Sequence, residues 1–406
     1  FSMPLFSACR RPKPVALKGS DVVKQQVEIA QLAGASGILD SSEQILKDLV
    51  NLYAIKSEHP YWLVEAVHAH TDKAVTDVCG ATASGSRPKE QNTELRKLMQ
   101  QIRDNAQGVP KVPTRRNGVA YLMLVKEGDV ATLPRLLGTL YRPQDSFWIH
   151  FDANMSPKTV AEIKGNAIMK QPNVQSEQVL AGCWACPSLA WVKMLGLVRL
   201  LQSGTGWSHV MTISSNLFPT RPLNEFYDML SEHPQTMFMY NRKLDTVNGR
   251  HNHMWEQRHD NGHDMLCHLG PRTVESLVAA PKSMWKSSQW DILPWAAARW
   301  LVLESPVIDQ MEFWNSTAIP DEHMVPTLLG NSPWQQEGWS YHWPLTKVNW
   351  KPHESGDKPP SPEEFTLKDL DVLRSERTFF GCKISDPALL SALESINPLH
   401  PLVSGA

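Results

Sequence analysis

The stretch Val119–Asp152, VAYLMLVKEGDVATLPRLLGTLYRPQDSFWIHFD, decides the fold. Val119–Val125 is an unbroken apolar run, the pattern of a strand covered on both faces. Lys126–Asp129 interrupts it, and Val130–Leu140 returns with helical spacing before an Arg142-Pro143-Gln144 turn. A second apolar strand, Phe147–Phe151, ends on a charged residue, Asp152.

Outward from this stretch the alternation continues. A third apolar segment near Val174–Leu180 leads into a helix over Ser188–Leu201, and His209–Ser214 reads as a further strand. That helix is apolar almost all round, with Lys193, Gly196 and Arg199 as its one polar stripe, so it is expected to lie buried against the sheet. The order predicts an α/β protein whose mostly parallel sheet is flanked by helices. Ligands of such sheets bind beyond the carboxyl ends of the strands, here at Asp152 and at Ser214–Arg221. Residues 1–115 differ. Short helical patterns at Val22–Leu32, Ser42–Ile55 and Asn92–Asp104 are separated by breaks such as Gly80–Pro88. The division expected is a helical stem over 1–115 and a catalytic domain over 116–406.

With 42% hydrophobic and 20% charged residues the chain has the composition of a folded protein. A formal net charge of −2 gives no basic face for nucleic acid. Fifteen Trp supply flat apolar faces, which suit sugar rings and cores alike. Six cysteines, an even number, fit an oxidising compartment; Cys183 and Cys186 form a C-x-x-C that reads as a redox pair or half a zinc site. Asn154-Met-Ser and Asn315-Ser-Thr are glycosylation sequons for a secreted chain. The chain starts on Phe1 and has no apolar stretch of spanning length, so membrane attachment is expected only through an N-terminal anchor absent from this sequence. G-x-G-x-x-G after the first strand, a Walker motif, G-x-S-x-G and H-E-x-x-H are all missing, which takes support from dehydrogenase, kinase and hydrolase readings. His251, His253, His259, His263 and His268 crowd one polar segment, either a solvated loop or a transition-metal site of no standard spacing.

The Val119–Asp152 stretch resembles the opening of the core-2/I-branching β-1,6-N-acetylglucosaminyltransferase and peptide O-xylosyltransferase family (glycosyltransferase family 14). That opening has an apolar strand, a helix with R-L-L, a Y-x-P turn and I-H-x-D. Further blocks follow in the family's order. Trp184 with Ser188 resembles W-G-x-x-S, and Ile213–Pro222 (ISSNLFPTRP) resembles the S-G-x-D block. Lys286–Trp290 (KSSQW) is similar to K-G-S-x-W, and Pro320-Asp321-Glu322 with Asn331-Ser332 to the P-D-E…N-S block. Leu345–Trp350 and Phe380–Ile384 (FGCKI) resemble the family's last two strands.

This resemblance implies a GT-A-like fold and inverting transfer from a UDP-sugar to a glycan or glycoprotein acceptor in the Golgi lumen, with no metal or other cofactor required. The donor sugars of the family include GlcNAc, xylose and glucuronic acid. Inversion needs one carboxylate to deprotonate the acceptor hydroxyl, and the resemblance assigns this to Glu322. Lys383 matches the lysine on the diphosphate, Asp152 the residue on uridine or ribose, and Ser188 completes the donor contacts. The family's companion Arg is Thr346 here, beside Lys347, which strand alternation would turn to the opposite face. Asp321, Glu256, Arg258 and Trp290 are the expected acceptor contacts. The family's S-G-x-D Asp is Leu217 here. Leu217 and Thr346 favour the alternative, a catalytically weakened relative that binds glycans or serves a structural role. Asp369-Leu-Asp371 is read as a helix cap rather than a D-x-D metal motif.

Overall fold

The computed structural model of the chain describes residues 88–105, 108–112, 117–203, 206–245, 249–260, 263–272, 276–277, 279–332, 334, 344–350 and 362–404. The helices expected at Val22–Leu32 and Ser42–Ile55 lie outside the described residues.

The strands in chain order are β1 (Val119–Val125), β2 (Ser146–Phe151), β3 (Val174–Glu177), β4 (His209–Ser214), β5 (Leu217–Pro219), β6 (Arg242–Lys243), β7 (His253–Asp260), β8 (His263–Pro271), β9 (Trp285–Lys286), β10 (Ile292–Pro294), β11 (Thr346–Val348) and β12 (Phe380–Cys382). The central sheet has the order β10-β4-β1-β2-β3. β3, β2, β1 and β4 pair in parallel, and β10 closes the edge antiparallel to β4. The mixed α/β class with a mostly parallel sheet is therefore as expected. The third strand is shorter than its apolar segment suggested and stops at Glu177, and the first crossover helix begins at Leu133 after a single 3-10 turn over Glu127–Asp129.

Six main helices matter to the site: α1 (Pro88–Asp104), α2 (Leu133–Leu140), α3 (Pro157–Lys164), α4 (Pro187–Gln202), α5 (Leu223–Glu232) and α6 (Trp295–Leu303). α1 begins at a proline, whose fixed φ suits the first helical turn. Its Leu95, Met99 and Ile102 sit in the same core as α4 and α6, so the end of the N-terminal segment packs onto the sheet.

Period-two geometry explains why β1 is apolar throughout. Ala120 and Leu122 face the cluster built with α4 and α6, while Val119, Tyr121, Met123 and Val125 face a second cluster with α2, α3 and α5. α4 lies close on the sheet because Gly196 has no side chain: a Cβ there would come within 2.6 Å of Leu122 and 2.7 Å of Trp148. A small second sheet, β11-β12-β5, packs its Leu217, Phe218, Phe380 and Cys382 into the second cluster. No helix among the described residues is long and apolar enough to cross a membrane.

Candidate active site

The parallel strands carry their carboxyl ends to one edge of the sheet, where β2 runs into Asp152. Asp152 accepts from the backbone N–H of Asn154 with one oxygen and of Gly182 with the other, both at 2.8 Å. Burial raises its pKa, and these two bonds work against the rise. The carboxylate thus ties the loop after β2 to the loop after β3.

Two strands across, at roughly 10 Å, β4 ends at Ser214, whose hydroxyl bonds Asn216 at 2.7 Å. β12 reaches this place through β5: Cys382 lies opposite Leu217, and Ile384 N–H donates to the Asn216 carbonyl at 2.8 Å. Half-buried Lys383 lies between them, directly after β12 and beside the Asn216 turn that follows β4. Lys347, on β11 opposite Gly381, gives its ammonium to Glu376 at 2.8 Å. Thr346 is buried beside Phe380, and Leu217 lies fully inside the second cluster.

Glu322 sits on a short 3-10 turn, Pro320–Glu322, packed against α4. Its Oε2 meets Lys286 at 3.2 Å and Arg250 at 3.4 Å. Neighbouring Asp321 is half-buried, and its Oδ1 is enclosed without a hydrogen-bond partner among the described residues. Below the turn, Lys193 of α4 pairs with Asp291, which also accepts from Thr212 Oγ1 at 3.1 Å. This lysine was visible in sequence as the polar interruption of an apolar helix, although its partner was not.

Behind Glu322, His323 and His251 meet edge to face at 4.3 Å, both buried. His323 Nδ1 lies 3.2 Å from the Trp285 carbonyl. Arg272, 1% exposed, donates to the carbonyls of His251, Phe313 and Ser316 and to the hydroxyls of Ser316 and Thr317. Of the two histidines and the arginine the sequence had marked only His251, as one of the crowded histidines; His323 and Arg272 were not singled out.

The segment read as a polar loop is an antiparallel hairpin, β7/β8, with a bulge between Met254 and Trp255. Gln257 is buried and donates to the Ala181 carbonyl at 2.9 Å. Glu256 and Arg258, on the alternate face, pair with each other at 2.6 Å. The hairpin divides the histidines: His253 meets His268 at 2.7 Å, and His259 meets Asp264 at 3.5 Å. Among the described residues no group of three or more His, Cys, Asp or Glu is placed to hold a metal ion.

Cys183 and Cys186 are joined as a disulfide, so the C-x-x-C is not half a zinc site as it stands, and Cys267 is disulfide-bonded too. Between the first pair, Trp184 is 71% exposed. Trp290 is half-buried against the second cluster. Ser188, in the first turn of α4, is buried, and its Oγ has no hydrogen-bond partner among the described residues. Asp369 closes a capping box with Thr366, the cap that its motif suggested.

The ionisations around Glu322 predict a specific pH response. Burial, and then the charge of Glu322, pushes Asp321 up to about 7, with Lys193 and Arg250 opposing. An acid raised on folding stabilises the fold below its ordinary value near 3.8, and that contribution is lost as pH rises through 7. Asp321→Asn removes this loss. Its stability relative to wild type, read from urea denaturation, should improve by roughly 2–3 kcal/mol between pH 5 and pH 8. A constant difference over that range would refute the assignment. Burial acts oppositely on the imidazoles: His323 falls to about 3 and His251 also falls, so they stabilise above pH 6.5 and that contribution is lost as pH falls towards 3.

Residues 119–374, well over half of the chain, match the Core-2/I-Branching enzyme family. The chain belongs to that family of glycosyltransferases. Among its relatives, xylosyltransferase 2 of Rattus norvegicus is 26% identical over 229 residues, which cover 53% of this chain and 25% of that protein. Xylosyltransferase oxt of Drosophila melanogaster is 27% identical over 133 residues, 32% of this chain and 15% of that protein. The chain thus spans a quarter or less of the length of these relatives. Among solved structures, the mannosyltransferase Ktr4p of S. cerevisiae is a loose likeness. It is 10% identical with a TM-score of 0.26, over 66% of this chain and 82% of that one.

Proposed function

We propose that this chain is the catalytic part of an inverting, metal-independent glycosyltransferase that moves a sugar from a UDP-sugar to a glycan or glycoprotein acceptor. The observation that carries the reading is the placement of Glu322. It is a carboxylate held by Arg250 and Lys286 on a fixed turn, in a family member whose β2 runs into Asp152 and whose β12 runs into Lys383.

In this reading the acceptor hydroxyl gives its proton to Glu322 while its oxygen attacks the anomeric carbon. The bond from that carbon to the diphosphate breaks, and its electron pair leaves with UDP. Lys383 offsets the leaving charge, as a metal-free site requires of its cations. Lys347 joins it only by leaving Glu376. Asp152 receives uridine or ribose donors on lone pairs left beside its two backbone bonds, and the Ser188 hydroxyl supplies a further donor contact. Glu256 and Arg258 face the acceptor. Trp184 presents a more open ring for a sugar than Trp290 does, and the enclosed Oδ1 of Asp321 suits support of the turn better than contact with the acceptor. Two disulfide-bonded sites fit an oxidising compartment, so the Golgi lumen is the proposed location.

The buried Leu217 and Thr346 favour a second reading, a weakened relative that binds glycans without turning them over. A UDP-release assay with UDP-GlcNAc, UDP-xylose and UDP-glucuronic acid, with and without EDTA, separates the two. The transferase reading expects EDTA-resistant turnover with one donor. If no donor is turned over and none raises the melting temperature, the second reading replaces it.

A further inference from the structure

Among the described residues only two non-glycine positions have a positive φ, Ala185 at 68° and Ile319 at 54°, and they are hydrogen-bonded to each other. Ile319 N–H donates to the Ala185 carbonyl at 2.8 Å. Ile319 immediately precedes the Pro320–Glu322 turn. We propose that the Cys183–Cys186 disulfide is a positioning staple for Glu322, acting through Ala185 and Ile319; this rests on Glu322 being the base.

The local geometry explains why a covalent link is useful. Cys183 to Cys186 is a tight turn in which Cys186 N–H donates to the Cys183 carbonyl at 3.1 Å. A positive φ at the third position of such a turn normally calls for glycine. Ala185 carries a Cβ that resists this conformation. The disulfide joins the first and fourth residues and so holds a backbone that alanine alone would release. Held this way, the Ala185 carbonyl fixes Ile319, a β-branched residue still less suited to positive φ. Such backbone persists only where its surroundings over-determine it, and it gathers at functional sites.

The other end of the stapled loop is anchored as well. Gly182 N–H is held by Asp152, and a Cβ on Gly182 would lie 2.9 Å from the Asp152 carboxylate. Ala181 is held by Gln257 of the hairpin. The disulfide therefore lies on a continuous path from the proposed donor carboxylate to the proposed base.

Because Cys267 is also disulfide-bonded, substitution is a cleaner test than reductant. Cys183→Ser with Cys186→Ser, alone and combined with Ala185→Gly, is compared with wild type by amide hydrogen exchange at Ile319 and by steady-state kinetics. The double variant should exchange Ile319 at least about tenfold faster and lose roughly 10- to 100-fold in kcat, with the nucleotide-sugar KM within about threefold. Ala185→Gly, which accepts positive φ freely, should restore most of both. A disulfide that only stabilises the fold would lower the melting temperature and leave Ile319 exchange and kcat unchanged, and that result overturns the proposal. If the double variant does not fold, Ala185→Pro with the disulfide intact decides, because proline fixes a negative φ; unchanged kcat there overturns the staple. Absence of transfer by wild type would count against Glu322 as base, while the exchange measurement alone would still accept or reject the staple.

Discussion

Glu322→Gln is expected to lower kcat by at least about 100-fold while leaving the nucleotide-sugar KM within about threefold. The substitution keeps the size of the side chain and a carbonyl oxygen for Arg250 and Lys286, but it removes the ability to take a proton. Both ion pairs fall on Oε2, so Oε1 is the atom proposed to receive the hydroxyl proton. The proposed donor-binding residues, Asp152 and Lys383, follow β2 and β12 and need no contact with this carboxylate in the proposed role. A loss confined to kcat is therefore the signature of a base, whereas an equal rise in KM would mark a binding residue. Steady-state kinetics with the donor that wild type turns over makes the distinction, and a melting curve confirms that the variant is folded. Retention of more than about a tenth of wild-type kcat would remove Glu322 from the role of base.

The elements that position this carboxylate differ in how openly the sequence announces them. β1, β2 and α4 were legible because burial on both faces leaves an uninterrupted apolar run, and such a run admits few interpretations. β5, β11 and β12 are three-residue strands, too short for a period to register, although Lys383 follows directly on β12. The hairpin was concealed by composition. After Met254 and Trp255, β7 is polar at every position from Glu256 to Asp260, so the period of two carries no contrast of polarity. Lys193 was conspicuous as a cation in an apolar helix. Its partner Asp291 lies 98 positions away, and such a distance is set by topology alone. Pro320-Asp321-Glu322 became visible through its resemblance to a family block, because by itself an acidic pair after a proline reads as an ordinary helix start. Nothing in local spacing brings Arg250 and Lys286 to Glu322; backbone bonds do so, from Ala318 N–H to the Arg250 carbonyl and from Ser287 N–H, after β9, to the Glu322 carbonyl.

Arg272 shows the same limit most clearly, and its replacement is predicted to have the largest effect on stability. It follows directly on β8, between Pro271 and Thr273 in an ordinary stretch, and its meaning lies in partners that are distant in sequence. Its guanidinium sits 4.3 Å from the Phe313 ring centre and donates to three backbone carbonyls and two hydroxyls. Two of those carbonyls, Phe313 and Ser316, belong to the end of a short helix, where Ser316 and Thr317 also donate to the first and Trp255 N–H to the second. Burial lowers the Arg272 pKa to about 9, so the group still carries its charge at neutral pH inside the protein. Exchanging a buried ion for an apolar group can be harmless when both members of a pair go. Here Arg272→Met removes one buried cation and its five donated bonds at once. A hydrogen bond to a charged group is worth about 1.5–3 kcal/mol, and the other donors to Phe313 and Ser316 recover part of the loss. The expected destabilisation is therefore about 3–5 kcal/mol, read from urea or guanidinium midpoints at unchanged slope. Arg272→Lys should recover little of it, because one ammonium cannot span acceptors arranged around a planar fork. Ala318 and Ile319 follow directly on the Ser316–Thr317 contacts, so the folded fraction of either variant should also lose kcat as the Glu322 turn loosens. A loss below about 1 kcal/mol for both variants would mean that the cation is a passenger, and that the packing of Phe313 and Trp314 alone holds the root of the hairpin.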